Sequence, residues 1–315
     1  MTKAILNDVA SHARSSRRAS LPATALALGL MLALFAAIDR AEAVCTVLGV
    51  PSTFASGATV DCSGTTTNSG PSGETGYGTL NDDNNTYNIQ PGATVTGANF
   101  GFRTDDGGTF NNFGTITGTN AAGITGSGFT VNNKLGAVIT GLGGGIGAAN
   151  GVTIDNAGQI TGTGANSIGI DATTINVTAN TSTISGLGAG IQITGSGTNV
   201  INNVSTIQGT GPAGVGIHTT GNNATIDASG NTGTISGTAS GISAGVGGNL
   251  DITVSNGTGT IFGATDSGIL GRTVNVTGNL GFISGGTFGV RASPTPVRLR
   301  RAPAAQRFRP SPAQT

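Results

Sequence analysis

Three residues suited to nucleophilic catalysis occur in the order His218, Asp251, Ser267, the last of them inside Asp266-Ser267-Gly268. A serine hydroxyl becomes a nucleophile when an imidazole takes its proton and a carboxylate orients that imidazole. Gly241-Ile242-Ser243-Ala244-Gly245 separately matches the G-x-S-x-G elbow, which requires a strand, a helix and a His further along the chain. The only His after residue 43 lies upstream, at position 218, so the elbow lacks its base. Gly209-Thr210-Gly211-Pro212-Ala213-Gly214 matches the dinucleotide pattern G-x-G-x-x-G. With 56 Gly in 315 residues such a match is expected by chance, and no helix pattern follows it. Arg103 beside Asp105-Asp106 is the one cluster where paired carboxylates could serve hydrolysis of a polysaccharide. Each of these residues also fills an ordinary slot of a repeat: Gly268 precedes Ile269 as Gly241 precedes Ile242, and Asp105-Asp106 reads as a solvated turn. The expectation is therefore no catalytic residue and no cofactor.

Residues 1–43 read as a secretory signal peptide. A basic segment with Lys3, Arg14, Arg17 and Arg18 precedes the apolar run Leu21 to Ile38, and Ala41-Glu42-Ala43 gives an A-x-A cleavage pattern. A transmembrane helix is the alternative, disfavoured because the run is short, contains Pro22 and leads into a polar chain with no further span. Export places Cys45 and Cys62 in an oxidising compartment. A disulfide between them is expected, at about 3 kcal/mol in the chain-entropy model; two free thiols are the alternative. Two Cys and His218 cannot fill a zinc shell, so no metal site is expected.

The zero net charge conceals three regions. From 44 to 290 only Arg103, Lys134 and Arg272 stand against eleven acids, a balance of −8, whereas 291–315 carries six Arg and no acid. A mildly acidic body has no basic stripe to neutralise phosphates, which argues against nucleic acid as a partner.

The elements that would position any site come from a repeat. The phrase N-x-G-x-I-[TS]-G places a first apolar anchor at Val95, Ile116, Ile139, Ile160, Ile184, Ile207, Ile235, Ile261 and Ile283, at intervals of 21 to 28 residues. A second anchor follows at Phe102, Ile124, Ile146, Ile168, Ile191, Val215, Ile242, Ile269 and Val290. A looser third falls near Phe110, Val131, Ile154, Ile175, Val200, Ile226, Ile252 and Val276. Period-two patterning within strands such as Gly114-Thr115-Ile116-Thr117-Gly118 turns the Ile inward and its Thr neighbours outward. A solenoid follows: an all-β, right-handed parallel β-helix over 91–290, of about nine coils with three short strands each, stacked at about 4.8 Å. Gly is expected at corners for its tolerance of positive φ. Asn at strand ends, as in Asn111-Asn112, Asn132-Asn133 and Asn202-Asn203, is expected to turn the chain and bond local backbone.

Length varies mainly between second and third anchors, so insertions collect at one corner, in 195–199, 219–223 and 244–249. Residues 44–90 break the repeat and carry the Cys pair, and are expected to cap the first coil. The coil begun at Gly281 has two anchors and no evident third strand. Its five prolines and six Arg make 291–315 read as a disordered Arg/Pro-rich tail.

The signal peptide, the early Cys pair and the N-x-G-x-I-[TS]-G coils together resemble the passenger regions of Gram-negative type V autotransporters, above all repetitive adhesins. The resemblance implies secretion through a C-terminal β-barrel to the outer membrane and work at the cell surface in adhesion or autoaggregation. The implied partners are host-cell or matrix surfaces, polysaccharide, or further copies of the chain. No barrel strands follow residue 290, so the chain reads as truncated before its translocator, and periplasmic by itself. A β-helix enzyme that degrades polysaccharide, and a structural stalk or non-functional fragment, are the alternatives.

Overall fold

A computed structural model describes residues 45–47, 56–69, 73–245, 250–292 and 298–299. Residues 1–43, with the expected signal peptide, lie outside them. The described chain is all β. Each coil contributes one strand to each of three parallel sheets, named here for the anchor they carry. Sheet 1 has ten strands from Thr65–Thr67 to Phe282–Gly285. Sheet 2 has ten from Thr75–Tyr77 to Phe288–Ala292. Sheet 3 has twelve, from Cys45–Val47 to Arg298–Leu299. This is a parallel β-helix with three strands per coil and about ten coils, against nine expected. No described helix is long and apolar enough to cross a membrane.

The first anchors pair coil on coil without a slip, as in Val95↔Ile116, Ile116↔Ile139 and Ile139↔Ile160, and all but the terminal Ile283 are fully buried. In sheet 2 the continuous row is Phe102, Ile124, Ile146, Ile170, Ile191, Ile217, Ile242, Ile269, Val290. Ile170 and Ile217 thus take the places expected for Ile168 and Val215. In sheet 3, Val177 and Val254 replace Ile175 and Ile252 opposite Ile154 and Ile226. These four corrections are shifts of two residues, which keep the same face. Alternation fixes which face is inward but not which of two inward residues meets the coil below. At Val200 the face itself differs from the expectation: Ile201 is fully buried beside Val177, and Val200 faces outward.

The strand-end asparagines do not turn the chain. Asn112, Asn133, Asn156, Asn180, Asn203, Asn231, Asn256 and Asn279 lie inside, between sheets 3 and 1, and all are buried. Each Nδ2 donates to the Oδ1 of the next, at 2.7 to 3.0 Å. The amides also serve strand-end backbone: Asn133 Nδ2 reaches the Gln159 carbonyl, and Gly114 N donates to Asn112 Oδ1. Among the described residues the left-handed non-glycines are Asn68, Asn84 and Asn223, outside this row.

The glycine that closes the repeat phrase is likewise present for a reason other than positive φ. Gly118 and Gly141 have ordinary torsions, but a Cβ on Gly118 would collide with the Ala122 carbonyl oxygen, and one on Gly141 with that of Gly144. The chain folds sharply from sheet 1 into sheet 2 there, and backbone occupies the space a side chain would need.

The stack reaches further toward the N-terminus than residue 91. Thr59–Cys62, Thr65–Thr67 and Thr75–Tyr77 pair in parallel with Thr86–Ile89, Thr94–Gly97 and Phe100–Asp106, forming a coil of their own. Its inward residues are Val60, Cys62, Thr66 and Thr75 instead of isoleucines, so the repeat phrase did not reveal it. Aromatic rings pack the next coils: Tyr87 stacks on Phe110 at 4.6 Å, and burial pushes its phenol up to about 12. Cys45–Val47 runs antiparallel on the outer edge of Thr59–Cys62, with Cys45 opposite Cys62. At the other end, Arg298–Leu299 pairs in parallel with Asn275 and Val276, so the last coil does have a short third strand. Prolines at 294, 296 and 303 leave the free stretch 297–302, enough for a pair of residues to bond.

Candidate functional surface

Cys45 and Cys62 form a disulfide, with Cα atoms 3.9 Å apart across the antiparallel pair. Both are buried, and Cys45 Sγ lies 3.6 Å from Thr66 Oγ1. The bridge ties the edge strand to the first coil.

The residues in triad order stay apart. Ser267 is fully buried, and its hydroxyl donates to Asp266 Oδ1 at 3.1 Å. Asp251 lies on sheet 3, where Arg272 grips both its oxygens at 2.9 Å and holds its carboxyl at about 2. His218 lies on sheet 2 and faces Gln192. Ser243 sits within strand Ser240–Ala244 and donates to the Gly245 carbonyl, so no elbow forms. Gly209–Gly214 is the turn between two strands, and no helix follows it. Arg103 lies over the Phe100 ring at 5.5 Å, while Asp105 and Asp106 occupy the exposed end of their strand.

Charge is organised from coil to coil. Among the described residues the ion pairs are Lys134–Asp155, Arg272–Asp251 and Arg291–Asp266, each joining neighbouring coils. Asp227 is held below the usual carboxylate range by the hydroxyls of Ser229 and Ser255.

One row escaped the sequence reading. Asp171, Gln192 and His218 occupy the same outward slot on three successive coils of sheet 2. Gln192 Nε2 donates to Asp171 Oδ1 at 3.2 Å, and His218 Nδ1 donates to Gln192 Oε1 at 3.4 Å. Burial raises the Asp171 carboxyl above its ordinary value and lowers the His218 imidazole below its own; each charge partly offsets the effect on the other. The signal lay in the residue after the second anchor. Alternation alone does not distinguish Ile168 from Ile170 or Val215 from Ile217, so the row is not visible in the sequence.

At the variable corner the insertions stack on one another. Gly195 N donates to the Thr173 carbonyl, and the backbone of Gly221 lies directly against that of Gly195. Residues 246–249 lie outside the described residues.

The other outward faces differ in kind. Sheet 3 carries a polar row that satisfies itself, Asn132 to Asn111, Asn111 to Asn88 and Asn88 to Asp61, at 2.8 to 2.9 Å. Sheet 1 carries mainly Thr in two columns and not one charged residue.

No protein-family model, curated protein or solved structure matches the chain.

Proposed function

We propose that the protein is an exported contact protein of the autotransporter-passenger kind, working in adhesion or autoaggregation through the outer faces of a right-handed β-helix. The observation that carries this reading is the division of labour in each coil. Inward residues are committed to Ile stacks and an Asn ladder, and outward residues repeat from coil to coil as long polar faces. A surface of that kind suits repeated weak contacts with an extended partner better than enclosure of a small molecule. The early disulfide supports an oxidising destination.

The test is to express the full chain in a Gram-negative host, fractionate the cells, and measure settling and attachment to epithelial and matrix-coated surfaces. Export with enhanced settling or attachment is the expected result. A chain that stays in the cytosol, or that hydrolyses a polysaccharide and loses this activity on Asp105→Ala, overturns the reading.

A further inference from the structure

The outward face of sheet 1 is a two-dimensional array. Thr65, Thr94 and Thr115 are direct partners in one column, and Thr67, Thr96 and Thr117 in the next. The columns then continue less strictly, with Thr140 and Thr161 in the second. Neighbours stand about 4.8 Å apart across strands and about 6.6 Å along them, the spacings of any β-sheet. Only in sheet 1 does the register run without a slip: sheet 3 shifts after Ile154 and again after Val177, and sheet 2 shifts between Thr125 and Ser127.

Most of these hydroxyls are also uncommitted, Thr161 being the exception, with its Oγ1 3.2 Å from Ser185 Oγ. Among the described residues, those of Thr94, Thr96, Thr115, Thr117 and Thr140 hydrogen-bond no protein group, whereas the corner hydroxyls of Thr119 and Thr173 bond carbonyls of the preceding coil. Sheet 3 has one outward Thr column, Thr86, Thr109 and Thr130, but its second outward row is an amide ladder bonded to itself, and sheet 2 carries Arg103, Asp171 and His218.

We propose that this Thr face binds a crystalline water surface, that is, ice. The physical grounds are commensurability and rigidity. Oxygens in the surface planes of ordinary ice repeat at an interval close to the cross-strand spacing of the array, so hydroxyls on successive coils can bond lattice water at once while the γ-methyls sit in the hollows between. Thr is β-branched and stiff at χ1, so little side-chain entropy is lost on adsorption. No charge is present to hold a disordered hydration shell. The inference deepens the contact reading above by naming the partner of one face.

The test uses the purified full chain, its fold checked by circular dichroism, in freezing hysteresis and ice-recrystallisation assays. Thr96→Tyr with Thr117→Tyr breaks the centre of the array. Thr109→Tyr with Thr130→Tyr makes an equal change on sheet 3. The expected result is ice activity that falls at least about tenfold in the first variant, equivalent to roughly 1.4 kcal/mol of adsorption energy, and persists in the second. A folded wild type without ice activity, equal loss in both variants, or retention on microcrystalline cellulose with none on ice overturns the proposal. Cell settling is measured in parallel. Settling without ice activity sinks the ice proposal alone, and absence of both sinks the contact reading with it.

Discussion

Inside the coil stack, Asn156 Nδ2 donates to Asn180 Oδ1 at 2.7 Å while Asn156 Oδ1 accepts from Asn133 Nδ2 at 2.8 Å. Every amide between the end members Asn112 and Asn279 is thus donor to one coil and acceptor from another. Such a chain polarises in one direction, and its members support one another in a low-dielectric interior.

Replacing one member should cost far more than a surface amide. Asn156→Ala leaves a buried oxygen on Asn180 without its donor and a buried N–H on Asn133 without its acceptor. The expected loss is about 2 to 4 kcal/mol. Asn132→Ala, in the outward, half-buried row of the same sheet, is expected to cost under about 1 kcal/mol. Urea denaturation of both variants measures the contrast; equal midpoints would show that the ladder adds nothing beyond its side-chain volume.

Two glycines separate steric from conformational need. Gly118 has ordinary torsions but no room for a Cβ, and Gly136 has a φ of +80° with open space around it. Gly136→Ala is expected to cost about 1 to 2 kcal/mol, the strain of a left-handed residue. Gly118→Ala requires backbone to move in two strands and is expected to cost more than that. If Gly118→Ala proved the milder change, the close approach between sheets 1 and 2 would be slack.

Acid should act through His218. Its folded imidazole is lowered by burial, so the unfolded chain binds the proton more tightly. Stability therefore falls as pH drops below the ordinary histidine value, until the folded imidazole is also protonated. Asp171 works in the opposite sense, because its raised carboxyl makes the folded state the better proton binder just above the ordinary carboxylate value. His218→Gln should flatten the decline of melting temperature just below about pH 6.5. An unchanged slope would show that other groups govern that window.

Reduction of the disulfide should loosen one end of the stack. The bridge spans 17 positions, and its loss in Cys45→Ser/Cys62→Ser is expected to remove about 3 kcal/mol from that end. Hydrogen exchange should speed up at Thr59–Cys62 and Thr86–Ile89 and stay unchanged beyond about residue 200, since each coil touches only its neighbours. Uniform acceleration would mean that the stack melts as one unit.

The sequence alone determined the architecture. An isoleucine flanked by threonines, returning every 21 to 28 residues between glycines, specifies a strand face, a corner and a repeat, and all three are local properties. It also brought Cys45 and Cys62 together as a pair. Tertiary structure decided what depends on one coil meeting another. Ile170 and Ile168 are equally good inward residues by pattern, and only pairing with Ile146 and Ile191 selects the first. Asn156 looks like a turn residue until Asn133 and Asn180 are placed on either side of it, and Gly118 like a flexible corner until the Ala122 carbonyl fills its Cβ position. The row from Asp171 to His218 and the open Thr array on sheet 1 are products of the same register. Alternation is written within a strand of four or five residues, but register is fixed by hydrogen bonds between strands more than twenty residues apart, and no local pattern carries that information.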